Sequence, residues 1–185
     1  MLPIYVVNNY GQFNHLILRM LRDLDIEARM IPNTTPAEDV AGECRGLILG
    51  GGPTLSRAGN AEAYLALGLP VLGICLGLHI IATRFGGQVT PGQAGGYGPV
   101  EVDIVFRDDI LAGYPDRLKV WASHADEVSV LPPGAVRLAG SSVCANEAVA
   151  LPDRHIYGVQ WHPEVSHTEN GRLVYENFDR ITREC

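Results

Sequence analysis

The sequence predicts an α/β fold: an open, mostly parallel doubly wound sheet flanked by helices, with added antiparallel strands in the second half. Near-continuous apolar runs rich in β-branched residues are typical of strands buried on both faces, and they occupy the first half. Segments with helical spacing separate some of these runs, and short strand-like pieces between turn sequences follow residue 95. Because 185 residues can form one sizeable core, residues 1–185 are predicted to be a single domain.

The first half predicts four buried strands, which cover residues 3–9, 26–31, 45–52 and 69–75. Between the first two, apolar residues from Phe13 to Leu24 recur at helical spacing. Further helices are predicted within residues 61–67 and 76–87, the second of which ends at Gly86. This alternation of strands and helices is typical of a parallel sheet.

The second half predicts shorter strands, which cover residues 98–106, 118–123, 127–131, 135–141, 147–151 and 155–162. The sequences "LAGYP", "LPPG" and "LPDR" lie between them and are rich in turn-forming residues. We expect these strands to extend the sheet in antiparallel fashion. A last helix is predicted from His167 to Thr182.

Composition excludes several classes of function. The net charge of −7 and the scattered Lys and Arg residues argue against a nucleic-acid surface. No apolar stretch approaches the roughly 20 residues of a membrane span, and no signal peptide precedes the first strand, so we expect a cytoplasmic protein without a membrane partner. The four cysteines form no CxxC pair, which argues against a zinc site or a disulfide framework.

One cysteine lies where a nucleophile is expected. Ligands of open α/β sheets bind beyond the carboxyl ends of the strands, and Cys75 directly follows the fourth predicted strand. The sequence "GICLG" has the Gly-x-nucleophile-x-Gly form of a strand-to-helix elbow. A helix amino terminus also stabilises a negatively charged sulfur. A lone cysteine is more often buried and inert, but the paired glycines favour the nucleophile.

The segment "WHPEV" supplies a candidate base for this cysteine. If the chain is extended there, His162 and Glu164 project to the same side, with Pro163 between them. A cysteine nucleophile needs such a base and a third group that orients it. The alternatives are a solvated His and Glu on a loop, or a metal site that adds His167. No fourth ligand accompanies that set, so no metal is predicted.

Backbone amides could complete the site. The sequence "LGGGP" ends the third predicted strand, and the residue after the nucleophile also offers its amide, so Gly52 and Leu76 are candidates for an oxyanion hole. The glycines could equally form only a turn. No phosphate-binding loop or dinucleotide fingerprint occurs, so no nucleotide or other cofactor is predicted in this chain.

Along essentially its whole length the chain resembles the class I (triad-type) glutamine amidotransferases. The resemblance rests on "NNYGQFNH", "LILGGGP", "GICLG" and "GVQWHPEVSHT". It implies a Cys75, His162 and Glu164 triad that hydrolyses the side-chain amide of L-glutamine through a glutamyl thioester. The products would be glutamate and ammonia, with the ammonia delivered to a synthetase.

Within that family, "IPNTTP", "WASHADEV" and "GVQWHPEVSHTENG" are most similar to the glutaminase subunits of archaeal two-subunit GMP synthases. The resemblance implies that the partner is a separate ATP-pyrophosphatase subunit, which uses ATP and Mg²⁺ to activate XMP for amination to GMP. It also implies that Ser123 and His124 lie near bound glutamine and that Asp126 lies near the partner interface.

The sequence departs from the family pattern at two positions. His79 stands where the family usually has a glutamine that helps to hold the substrate, and an imidazole can also donate and accept hydrogen bonds. Asn8 stands where the family commonly has an acidic residue.

Two other functions remain open at this stage. The chain could be the glutaminase component of anthranilate or aminodeoxychorismate synthase, although "SHADEV" and "HPEVSHT" argue against it. It could also be a catalytically silent regulatory subunit in which His79 marks a lost glutamine site, although the intact triad argues against that.

Overall fold

The computed structural model describes residues 1–107 and 109–185, with all side chains except those of residues 93–95. Within this part of the chain, nine strands are β1 (Ile4–Asn8), β2 (Ala28–Pro32), β3 (Gly46–Leu49), β4 (Val71–Ile74), β5 (Gln88–Ile104), β6 (Arg117–Val130), β7 (Val136–Ser141), β8 (Ala148–Leu151) and β9 (Ile156–Val159). The α-helices there are α1 (Asn14–Asp23), α2 (Ala37–Val40), α3 (Ala61–Tyr64), α4 (Leu76–Arg84) and α5 (Gly171–Glu184). Short 3₁₀ helices cover Leu55–Arg57, Asp109–Leu111 and Pro152–Arg154.

The strands form one sheet in the order β2-β1-β3-β4-β9-β8-β7-β5-β6. The pairings from β2 to β9 are parallel. The pairings from β9 to β6 are antiparallel. A parallel sheet with antiparallel strands from the second half is the fold that the sequence predicted, and this prediction is confirmed.

Helices cover both faces of the parallel strands. Successive side chains of a strand point to opposite faces, and in β3 Ile48 packs in the cluster that contains Ile17 of α1 and Phe178 of α5. Its neighbour Leu47 packs in the cluster that contains Tyr64 of α3 and Ile80 of α4. Every residue of β3, β4, β8 and β9 is buried, which explains their near-continuous apolar sequences.

The structure corrects the bounds of four predicted elements. The glycine-rich segment before residue 98 belongs to β5, and the predicted strands 118–123 and 127–131 are one strand, β6. These strands pair along most of their length, with a register shift between Pro91 and Gly96. Glycine and proline therefore occur inside the strand pair, where a bulge accommodates them. The last helix begins at Gly171 rather than His167, after Asn170 adopts a left-handed conformation with φ 53°.

The parallel pairing brings functional segments to one edge of the sheet. The carboxyl ends of β1, β3, β4 and β9 lie side by side, and the segments that follow them contain the predicted site residues. The β5 and β6 pair lies at the far end of the sheet order, yet residues of β6 reach the same edge. Among the described helices, none has the length and apolar character to cross a membrane.

A buried carboxyl group lies in the antiparallel half. The side chain of Glu147 is fully buried, and its Oε1 accepts a hydrogen bond of 2.6 Å from the Ser141 hydroxyl. Burial raises the pKa of Glu147 to about 7; the Ser141 hydrogen bond lowers it, and the nearby charge of Glu127 raises it further. The folded state therefore holds a proton here that the unfolded chain loses at lower pH.

We expect Glu147 to make the protein less stable as the pH rises. Between the ordinary glutamate pKa and about 7, the folded state binds more protons than the unfolded state, so the free energy of unfolding falls with pH. Above that range the loss approaches about 3 kcal/mol. Denaturant unfolding of Glu147→Gln between pH 5.5 and 8 should show a clearly smaller pH slope. The exposed Glu38→Gln should keep the wild-type slope, and an unchanged slope in Glu147→Gln would contradict the assignment.

Candidate active site

Cys75 occupies a strained position between β4 and α4. Its backbone has φ 53° and ψ −104°, a combination that non-glycine residues rarely adopt. Its N–H donates to the Val159 carbonyl at 2.8 Å, which ties the turn to β9. The thiol lies 3.7 Å from the Ser123 carbonyl oxygen and is almost fully buried. The cysteine therefore stands at the amino terminus of α4 with its sulfur held toward β6.

Close backbone packing explains the glycines around Cys75. A Cβ atom at Gly77 would overlap the carbonyl oxygen of Leu49 in β3. A Cβ atom at Gly73 would lie 2.5 Å from the carbonyl carbon of Gly77. The turn can approach the sheet this closely only without side chains at these two positions.

His162 and Glu164 meet directly. Nδ1 of His162 lies 2.7 Å from Oε1 of Glu164, and both side chains are buried. The expected extended backbone is wrong: β9 ends at Val159, and residues 163–164 form a turn, in which the Val165 N–H bonds the His162 carbonyl. The ring of Phe13 packs edge-on against the imidazole, with centroids 5.0 Å apart. Since Nδ1 faces Glu164, Nε2 is the nitrogen that is available to hydrogen-bond Cys75.

The environment of His162 favours its charged form. Burial lowers the pKa of His162, but the hydrogen bonds and charges of Cys75 and Glu164 outweigh burial and raise it to about 10. Behind the pair lies Tyr175, whose pKa is raised well above its ordinary value by burial and by the charge of Glu164. Contact with Glu164 on one side and Cys75 on the other therefore keeps a proton on the His162 ring.

Two hydrogen bonds fix the orientation of the Gly51 carbonyl. It accepts hydrogen bonds from the Gly11 N–H and from Nδ2 of Asn14, each at 3.0 Å. Because no described peptide bond is cis, the N–H of Gly52 points opposite to that carbonyl. Leu76 is the first residue of α4, so its N–H has no carbonyl acceptor within the helix. Both predicted oxyanion donors, Gly52 and Leu76, line the same cavity as Cys75.

Asn8 supports this loop from the end of β1. Its Oδ1 accepts hydrogen bonds from the Tyr10 N–H at 2.9 Å and from Asn14 Nδ2 at 3.0 Å. Accepting these two hydrogen bonds requires only an oxygen, which an amide provides as well as a carboxylate does. Asn14, which the sequence analysis missed, thereby connects β1 to the Gly51 carbonyl.

The strand β6 supplies the opposite wall of the site. Ser123, His124 and Asp126 all line the cavity. Nδ1 of His124 lies 2.9 Å from the backbone oxygen of Asp126, and burial lowers the pKa of His124. Thr168 attaches this wall to the histidine: its hydroxyl accepts from the Trp121 N–H at 2.9 Å and donates to the His162 carbonyl at 2.7 Å.

The structure brings the predicted residues together around one cavity of about 420 Å³. Glu164 lies behind His162, and the other predicted site residues line the cavity: Gly52, Cys75, Leu76, His79, Ser123, His124, Asp126 and His162. A cavity of this volume suits a small polar metabolite. No group of three His, Cys, Asp or Glu side chains in the described chain could hold a metal ion.

Gln160 is a second residue that the sequence analysis missed. Its side chain is fully buried, with Oε1 2.8 Å from Nε2 of His79 and Nε2 3.7 Å from the sulfur of Cys75. The only signal in the sequence was its place in "GVQWHPE", where a polar residue continues a buried strand run.

We expect Glu164→Gln to lower the pKa of His162 by about one to three units, because it removes an opposite charge from direct contact. Titration of the His162 ring signals by NMR measures this directly. The exposed Glu38→Gln serves as the control and should leave the value near that of the wild type. Equal pKa values in Glu164→Gln and the wild type would show that the carboxylate does not hold the proton on the ring.

Sequence comparison places this site in a family. Residues 5–181 match the family "Glutamine amidotransferase class-I". A protein of Methanoculleus marisnigri, named as a subunit of glutamine-hydrolyzing GMP synthase, is 70% identical over 184 residues, which cover the whole of both chains. A protein of Methanoregula boonei with the same name is 67% identical over 184 residues, again the whole of both chains.

Comparison with solved structures agrees. A crystal structure from Thermoplasma acidophilum, described as that of a GMP synthase subunit, superposes with a TM-score of 0.95 at 35% identity. The match covers 100% of this chain and 95% of that chain. The family model matches nearly all residues, and the relatives are similar over their full length. The chain therefore belongs to the class I glutamine amidotransferase family.

Proposed function

We propose that this chain is a cytoplasmic glutaminase subunit of a two-subunit GMP synthase, which hydrolyses L-glutamine and supplies ammonia for the amination of XMP. The observation that carries the proposal is the strained Cys75 at the amino terminus of α4, in one cavity with a buried His162 and Glu164 pair. In this proposal ATP and Mg²⁺ act in the separate ATP-pyrophosphatase subunit.

Cys75 acts as the nucleophile. Its thiolate attacks the side-chain amide carbon of glutamine and forms a C–S bond, while the electron pair of the C=O bond moves to oxygen. The N–H groups of Gly52 and Leu76 stabilise the oxyanion. The C–N bond then breaks, and His162 donates its proton to the leaving nitrogen, which departs as ammonia.

Water completes the cycle. The glutamyl thioester is attacked by a water molecule whose proton passes to Nε2 of His162, and a second tetrahedral oxyanion forms at the same donors. The C–S bond breaks to release glutamate and the thiolate. Glu164 keeps Nδ1 of His162 protonated and the ring oriented through both steps, which its contact at 2.7 Å supports.

The relatives support the choice of pathway. Proteins named as subunits of glutamine-hydrolyzing GMP synthase match this chain at 65–70% identity over nearly their full length. The alternatives of an anthranilate or aminodeoxychorismate synthase component receive no support from these names. A silent subunit disagrees with the assembled Cys75, His162 and Glu164 geometry.

The cavity mouth offers a face for the synthetase partner. Tyr10, Leu55 and Tyr97 line the cavity, and each exposes a large apolar side chain, with Tyr97 68% exposed. Exposed aromatic groups around a functional opening favour protein contact. Asp126 is exposed on the same rim, which supports its proposed place at the interface. A partner seated here would receive ammonia directly from the site.

We expect Cys75→Ala to abolish glutamine-dependent GMP formation by the reconstituted enzyme, because no nucleophile remains. Synthesis from added ammonium salt should persist within about twofold, since the partner subunit is intact. The measurement is GMP formation with ATP, Mg²⁺ and XMP, using Cys185→Ala at the exposed carboxyl terminus as the control. Retained glutamine-dependent synthesis in Cys75→Ala would refute the proposed nucleophile.

We expect Tyr97→Glu to weaken association with the partner subunit by about tenfold or more, because a charge replaces an aromatic group at the proposed interface. Titration calorimetry with the ATP-pyrophosphatase subunit measures the Kd. Phe106→Glu is the matched control, since Phe106 is also exposed but does not line the cavity. Equal effects of the two substitutions would place the interface elsewhere.

A further inference from the structure

A buried chain of hydrogen bonds joins His79 to the sulfur of Cys75 through Gln160. Nε2 of His79 lies 2.8 Å from Oε1 of Gln160, and Nε2 of Gln160 lies 3.7 Å from the sulfur. The backbone of Gln160 is fixed as well, because its N–H donates to the Glu147 carbonyl at 2.7 Å. Gln160 directly follows β9, the strand paired with the one that precedes Cys75.

When the sulfur is charged, these hydrogen bonds allow only one orientation of the Gln160 amide. A thiolate only accepts hydrogen bonds, so the NH₂ group of Gln160 must face the sulfur. Its carbonyl oxygen then faces His79, which must donate from Nε2. Burial lowers the pKa of His79, although the Gln160 contact and the charge of Asp126 raise it. A neutral His79 that is protonated on Nε2 satisfies both hydrogen bonds, the one to Gln160 and the one from Gln160 to the sulfur.

We propose that Gln160 is a positioning residue that donates a hydrogen bond to the Cys75 thiolate, and that His79 acts through Gln160 by preventing its amide from turning over. In this proposal His79 orients the Gln160 amide that donates to the nucleophile, and it does not hold glutamine. For catalysis this inference rests on the proposed glutaminase function, but its effect on the thiol does not.

The other described groups near the sulfur do not supply this donor. His162 is occupied by Glu164 on one nitrogen and serves as the proton carrier on the other. His124 bonds the backbone oxygen of Asp126, and the Ser123 carbonyl can only accept a hydrogen bond. Among the side chains that the structure describes, removing Gln160 therefore leaves the thiolate with His162 and the helix amino terminus alone.

The test is the rate of Cys75 alkylation by iodoacetamide as a function of pH, measured by peptide mass spectrometry. We expect Gln160→Leu to slow alkylation at pH 7 by about tenfold, because a hydrogen bond to a charged group is lost. Gln160→Glu should slow it further, since a carboxylate would face the sulfur. The exposed Gln88→Leu is the matched control and should keep the wild-type rate.

His79 provides an independent pair of variants. His79→Leu removes the donor that orients the amide and should slow alkylation severalfold, whereas His79→Gln keeps a donor and should stay within about threefold of wild type. In glutamine hydrolysis, His79→Leu should lower kcat and leave KM nearly unchanged. A rise in KM alone would instead show that His79 holds the substrate and would overturn the proposal.

The outcomes separate the two proposals. Suppose that Cys75 is alkylated at the wild-type rate in Gln160→Leu and in His79→Leu, and that both variants melt at the wild-type temperature. The orienting role is then wrong, whatever the function of the enzyme. If Gln160→Leu fails to fold, the His79→Leu and His79→Gln pair decides the question. If the alkylation rates follow the expected order but the wild type with its partner hydrolyses no glutamine, only the glutaminase proposal is wrong.

Discussion

The parallel pairing of β4 with β9 is the constraint on which the site depends. Ile74 lies beside Val159 in this register, and the Cys75 N–H continues the ladder by bonding the Val159 carbonyl. The next residue of each chain segment therefore belongs to the site: Cys75 on one side and Gln160 on the other. A shift of one residue in register would turn these side chains to opposite faces of the sheet.

The effect of burial on the pKa of a titratable group in this molecule depends on whether an oppositely charged group contacts it. His162 is buried, but Glu164 contacts it at 2.7 Å, and the contacts with Glu164 and Cys75 raise the pKa of His162 despite its burial. Glu147 is equally buried, yet its carboxyl meets a neutral hydroxyl and the charge of Glu127, and its pKa rises to about 7. Burial therefore leaves a proton on His162 because Glu164 and Cys75 stabilise the charged ring, whereas it leaves a proton on Glu147 because no opposite charge stabilises the carboxylate.

The two halves of the sheet contribute different parts of the site. The parallel strands present Cys75, Gly52 and His162 from loops at their carboxyl ends, whereas β6 closes the cavity from the other side with Ser123 and His124. Hydrogen bonds through Thr168 join β6 to the His162 turn. Thr168 therefore belongs to the site although it does not line the cavity.

The sequence by itself predicted the buried parallel strands and the elbow around Cys75, because these depend on neighbours within a few residues. It also predicted that His162 and Glu164 lie on one side, but through an extended backbone, whereas the structure brings them together in a turn. It could not determine that β5 begins at Gln88, since the hydrogen bonds that keep glycine and proline in that strand come from β6. Nor could it identify Asn14 or Gln160. Asn14 contacts Gly51 across 37 residues of sequence and Gln160 contacts Cys75 across 85, so only the folded chain brings their polar atoms together.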